Sequence, residues 1–141
     1  MKTLLKILCV LTLNVTTVFA QEKTGQDIIV NVKNLKNDNG KVFIALYDSK
    51  TNFFKKRMHS KMVQPEHKAC QVIFKNIPKG VYAVSLYHDE NDNKKMDKNS
   101  YGAPKEAYGC SNNAKGFFGP PKWEDAKFEV KTENVTQNIE L

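Results

Sequence analysis

The run Ile77-Pro78-Lys79-Gly80-Val81-Tyr82-Ala83-Val84-Ser85-Leu86-Tyr87 decides the fold class. Pro78 presets its own φ and Gly80 can take strained backbone, so residues 77–80 read as a turn. Residues 81–87 are β-branched, aromatic and apolar, which suits a pleated surface. Upstream, Cys70, Val72 and Phe74 share one face by the two-residue period of a strand. Residues 61–64 predict a short strand that Pro65 ends. Ile28, Val30 and Val32 alternate with Ile29, Asn31 and Lys33, Asn37-Asp38-Asn39-Gly40 supplies a turn, and residues 42–47 return; this pair is expected to form a hairpin. Downstream, Ala126, Phe128 and Val130 alternate with charged residues, and Val135, Gln137 and Ile139 give a last strand. Short strands separated by turns, with no helix of useful length, predict an all-β fold. The expected form is a single antiparallel β-sandwich of about seven strands, Ig-like or transthyretin-like, with one long loop.

The N-terminus reads as a secretory leader: Lys2 and Lys6, then an apolar run, then Val18-Phe19-Ala20 before Gln21. The apolar run is interrupted by Asn14, Thr16 and Thr17 and is short of the roughly 20 residues a membrane span needs. The expectation is a leader over residues 1–20 and one domain over 21–141, exported to the periplasm, cell envelope or exterior. Without the leader, which carries two lysines and no acid, the formal charge falls from +7 to +5. The lysines are scattered and Arg57 is the one arginine, which argues against nucleic-acid binding. Cys70 and Cys110 remain in the domain. In an oxidising compartment they are expected to pair, closing a loop of about 40 residues worth roughly 4 kcal/mol in the chain-entropy model; two buried thiols are the alternative.

Residues 88–123 show neither strand nor helix period, and a loop that long inside a small domain is functional or disordered. Its aromatic content argues against disorder. The segment His88-Asp89-Glu90-Asn91-Asp92-Asn93-Lys94-Lys95-Met96-Asp97 has a cation-loop pattern: Asp89, Asn91, Asn93, the Lys95 carbonyl and Asp97 fall at positions 1, 3, 5, 7 and 9 of a Ca²⁺ loop. Lys94 stands where such a loop needs glycine, and Ser100 where it has a bidentate glutamate; Glu106 is the candidate substitute. A polar loop of Asx turns holding no ion is the alternative.

Tyr101, Tyr108, Phe117, Phe118 and Trp123 are candidate contacts for a partner protein or glycan, set against the plainer expectation that such rings fill a core. Phe53 and Phe54 are expected at the core edge. A hydrolase would require His88 to act on Cys110 or Ser111, with Asp89 or Glu106 orienting it. No nucleophile elbow, zincin pair or phosphate loop accompanies them. An envelope structural protein holding no ion is the remaining alternative.

The run from Phe74 through Gly80-Val81-Tyr82-Ala83-Val84 to His88-Asp89-Glu90-Asn91 resembles a domain of unknown function, DUF2141. The likeness continues through Gly102, Pro104-Lys105-Glu106, Tyr108-Gly109, Ser111-Asn112-Asn113-Ala114, Gly119-Pro120-Pro121 and Asp125-Ala126. It implies an exported bacterial β-sandwich and no activity. It also places glycine where this chain has Asp92 and Lys94, and an aromatic residue where it has Cys110. The spacing around Phe74 and Tyr82 is similar to transthyretin-like and carboxypeptidase-regulatory-like sandwiches, which bears on fold and not function.

Overall fold

The computed structural model describes residues 24–141; the expected leader lies outside them. The chain forms β1 (Gln26–Lys33), β2 (Lys41–Tyr47), β3 (His59–Val63), β4 (Cys70–Ile77), β5 (Gly80–Asp89), β6 (Tyr108–Cys110), a 3-10 turn (Ser111–Asn113), α1 (Trp123–Ala126), β7 (Phe128–Val130) and β8 (Val135–Glu140). One sheet has the order β4-β1-β8, and the other β3-β2-β5-β6 with β7 also on β5. The all-β sandwich is therefore present. One strand pair departs from the antiparallel expectation: β1 and β8 run parallel, with Val30 opposite Gln137.

The inner faces of the two sheets meet in one core. Ile28, Val30 and Val32 of β1 and Val72 and Phe74 of β4 face Val42, Ile44 and Leu46 of β2 and Val84 and Leu86 of β5. Tyr82 joins them while its hydroxyl donates to the Pro78 carbonyl at 2.8 Å, so the 77–80 turn is tied to the strand it launches. The outer face of β5 is covered as well. Ala83 packs with Ala45, Tyr47, Phe53, Cys110, Trp123 and Ala126 in a second apolar cluster. Phe53 meets Tyr47 and Trp123 edge to face, with centroids 5.4 and 5.6 Å away. Phe54, by contrast, is 43 % exposed and leans on Phe53 and Tyr47.

The hairpin expected of β1 and β2 does not form: β1 pairs with β4 and β8, and β2 with β3 and β5. Residues 34–40 instead cross from one sheet to the other. Leu35 is buried at the crossing and its N–H donates to the Lys68 carbonyl at 3.1 Å. Asp38 accepts the N–H groups of His67 and Lys68. Alternation cannot separate the two arrangements, because strands facing each other across a core bury every second residue just as strands side by side do.

Gly40 closes the crossing with φ 64°, and a Cβ there would lie 1.9 Å from the Asp89 carbonyl oxygen. Gly40→Ala is expected to cost about 3 kcal/mol in urea unfolding, since neither the backbone carbonyl nor the left-handed φ can yield cheaply. A loss below about 0.5 kcal/mol would mean that the crossing does not press on the end of β5.

Candidate functional site: the loop after β5 and its aromatic tip

Strand β5 ends at Asp89, and what lies beyond is organised by side chains rather than by a ladder. Asp89 is buried, with one carboxylate oxygen accepting the Asn93 N–H at 3.1 Å and the other the Lys94 N–H at 2.7 Å. Asn91 Oδ1 accepts the Asn93 N–H, and Asn93 Oδ1 accepts the Lys95 N–H at 2.9 Å, giving two successive Asx turns. The amide groups of Asn91 and Asn93 donate to the two oxygens of Asp97, each at 2.8 Å. These bonds, Asn93 first, hold the Asp97 carboxyl below its ordinary range. The Asp97 N–H donates to Glu106 Oε2 at 3.1 Å, which closes the loop onto the segment leading into β6.

The structure thus brings Asp89, Asn91, Asn93, Lys95, Asp97 and Glu106 into one turn system. Among the described residues no three His, Cys, Asp or Glu side chains are gathered tightly enough to hold a metal as they stand. Asp92 and Lys94 take φ 53° and 64°. These are the positions where the family resemblance places glycine, so the turn keeps its shape at a backbone cost on the order of 1 kcal/mol at Lys94, less at the more tolerant Asp92.

Glu106 is the unusual member. It is 8 % exposed and its Oε1 has no hydrogen-bond partner. Burial pushes its carboxyl above the ordinary range; the Asp97 amide pulls the other way, and the charges of Asp89, Asp97 and Glu90 add to the rise. The base of the loop is also tied to the 34–40 crossing: Asn37 Nδ2 donates to Glu90 Oε2 at 2.7 Å, and Lys36 lies 3.7 Å from the same oxygen. His88 belongs to that tie. It is fully buried, and its Nε2 donates to the Asn39 carbonyl at 2.7 Å.

Position rather than that bond separates His88 from the nucleophiles considered above, since its Nδ1 has no partner. Cys110 lies opposite Ser85, whereas His88 is three residues further along β5, about 10 Å away and on the other face by the two-residue period. Ser111 Oγ donates to the Ala126 carbonyl at 2.5 Å and accepts the Val84 N–H at 2.9 Å. Neither Cys110 nor Ser111 is paired with an imidazole, so the particular arrangement expected of His88 with these two residues is not assembled.

The Ser111-Asn112-Asn113 run is instead a clasp that the sequence reading missed. Asn112 Nδ2 donates to the carbonyls of Asp125 and Lys127, at 3.1 and 2.8 Å. Asn113 donates to the Asn138 carbonyl and accepts the Glu140 N–H. Three neighbouring side chains thereby stitch β5, α1 and β8 together. Two consecutive asparagines, at φ 58° and 51°, were the available signal, because asparagine tolerates that backbone.

The expected disulfide is absent. Both thiols are free, Cys70 packing on the main core beside β1 and Cys110 lying buried in the second cluster on the opposite sheet. Burial pushes them up to about 11 and about 12 respectively. The candidate contact aromatics divide in the same physical terms. Trp123 is core, Tyr108 is half exposed, and Tyr101, Phe117 and Phe118 are almost wholly exposed.

The fold and loop define an all-β sandwich class with a side-chain-organised loop at one end. The model of the family described as "Uncharacterized protein conserved in bacteria (DUF2141)" matches residues 30–138, and the chain belongs to that family. No curated protein matches the chain.

Ser111→Ala should cost about 2 kcal/mol, because it strands a buried N–H and a buried carbonyl; an unchanged denaturation midpoint would contradict the clasp. At pH 8 native Cys110 should resist a thiol reagent, being protonated and buried, and the protonated but only half-buried Cys70 should react slowly. Both should label fully once the protein is unfolded without reductant. Recovery of a linked Cys70–Cys110 peptide would contradict the free-thiol arrangement.

Proposed function

We propose that the protein is an exported, non-enzymatic contact module whose 89–106 loop is ordered by Ca²⁺. The observation that carries this reading is the buried, unpartnered Oε1 of Glu106 amid the negative charges of Asp89, Asp97 and Glu90. A buried carboxylate without a counter-charge is costly, and a hard cation offsets that cost by taking the free oxygen. The donors at hand are carboxylate, amide and main-chain oxygens, which suit Ca²⁺ better than a soft transition metal. The one nearby imidazole gives its Nε2 to Asn39 and keeps a buried, unpartnered Nδ1. Binding needs the Asn91 and Asn93 amide oxygens to leave the Asn93 and Lys95 N–H groups and turn toward a cation beside Asp97, which gives up two Asx-turn bonds and leaves the Asp89 bonds in place.

A second reading has its own observation. Asn91, Asn93 and Asp97 already satisfy one another, which is what a loop holding no ion would do. On that reading the protein is an envelope structural module, docking through the exposed edge strand β3.

Glu106→Gln separates the two, because its effect changes sign with the ion. In chelator, the folded Glu106 carboxyl holds its proton more tightly than the unfolded one. Stability is therefore greater at low pH and falls as pH rises through the raised folded value. Glutamine removes that penalty, so at neutral pH the variant should melt higher than wild type in chelator. With Ca²⁺ the order should reverse: wild type should gain about 2.7 kcal/mol when Ca²⁺ is 100 times its Kd, and the variant little. Equal melting of the wild type with and without millimolar Ca²⁺ would leave the ion-free reading.

A further inference from the structure

Phe117 and Phe118 occupy the centre of a turn over residues 116–119 that the backbone closes tightly. A Cβ on Gly116 would lie 1.7 Å from the Gly119 carbonyl oxygen. Phe118 takes φ 56°, the left-handed conformation that the third residue of such a turn ordinarily leaves to glycine. Phe117 is 90 % exposed and Phe118 100 %. Their rings meet edge to face, 4.7 Å apart, and make no other ring contact among the described residues. Stability does not account for two phenylalanines held in water on a strained turn, and strain of this kind concentrates at contact sites.

The base of the tip is firm. Ala114 packs against the second cluster, and Pro121 and Trp123 are buried. Only the segment between them projects. Lys115 and Lys122 bracket it, both exposed and neither in an ion pair with a described residue. Lys105 is close by, because it lines one open cavity of about 450 Å³ together with Lys115 and Gly116, a cavity whose wall also holds Lys36, Glu90 and Glu106.

We infer that this tip docks the protein on an anionic lipid surface. The two rings enter the boundary between headgroups and acyl chains while Lys115, Lys122 and Lys105 meet lipid phosphates. The shape favours this occupant over a glycan. Rings inclined at 76° form a wedge and offer no flat platform for a sugar, whereas a fluid apolar layer accepts a wedge of any outline. The charge favours it too, since cations at both ends of an apolar pair match an apolar layer roofed by anions, and the chain without its expected leader carries +5. Ca²⁺ at the neighbouring loop is not required.

Sedimentation with vesicles in chelator tests the inference. Wild-type protein should bind vesicles of phosphatidylcholine mixed with phosphatidylglycerol better than phosphatidylcholine alone, and less well as salt rises. Phe117→Ser combined with Phe118→Gly should weaken binding roughly tenfold or more. The rings are almost wholly exposed and glycine relieves the turn, so the variant should keep or exceed the wild-type melting temperature. Lys115→Ser with Lys122→Ser should weaken binding severalfold. Equal sedimentation of wild type and the Phe variant would place any membrane contact elsewhere in the chain. Failure of the wild type to sediment would overturn the lipid assignment and leave a pocket on a partner protein as the occupant.

Discussion

Burial of β5 on both faces is the constraint from which the rest of the architecture follows. Its inner residues Tyr82, Val84 and Leu86 close the main core, while Ala83 on the outer face carries a second apolar layer built from the chain's long connections. A strand covered on both sides cannot tolerate unsatisfied polar groups, so the segments that cover it must be fixed. Ser111 meets that demand by taking the Val84 N–H; His88 at the strand's end meets it in part, its Nε2 donating to Asn39 while its Nδ1 stays unpartnered. Groups that resembled catalytic candidates are thus consumed in holding the covering layer to the strand.

The same constraint explains why chemistry-bearing residues collect at one end of the sandwich. Where β5 leaves its ladder at Asp89, carboxylates and amides replace strand pairing as the partners of the main chain. That exchange concentrates negative charge around a buried carboxyl, Glu106, that lacks a counter-ion among the described residues. Of the ten described non-glycine residues in left-handed backbone, five lie in the same long connection, at Asp92, Lys94, Asn112, Asn113 and Phe118. The asparagines return hydrogen bonds for that strain. Lys94 and Phe118 have no comparable compensation in their side chains, and they sit in the loop and the tip to which function is assigned here.

Much of the fold was legible because strand alternation is a local signal. The strands over residues 26–33, 41–47, 70–77, 80–89 and 135–140 correspond to runs read from the sequence. Which strands lie side by side was not legible: β1 and β2 both bury alternate residues, and only the crossing at Leu35 and Gly40 puts them in different sheets. The parallel pairing of β8 on β1 was equally hidden, since parallel and antiparallel neighbours share one period. Within the long loop, oxygen spacing marked the residues that do come together. It could not say whether asparagine oxygens face a cation or the main chain, because both uses favour the same spacing. Aromatic identity alone could not distinguish Trp123, which is core, from Phe117 and Phe118, which are not; burial depends on what the rest of the chain brings nearby. The cysteines misled because redox compartment speaks to opportunity and not to distance, and their strands belong to opposite sheets.

Amide chemical shifts followed through a Ca²⁺ titration in solution test the central claim most directly. The account predicts saturable shifts confined to the Asp89–Asp97 turn system and the Glu106 region, with the amides of Val30, Ile44 and Val84 in the core unmoved. A spectrum that does not change at millimolar Ca²⁺, or shifts spread evenly over surface carboxylates, would contradict it.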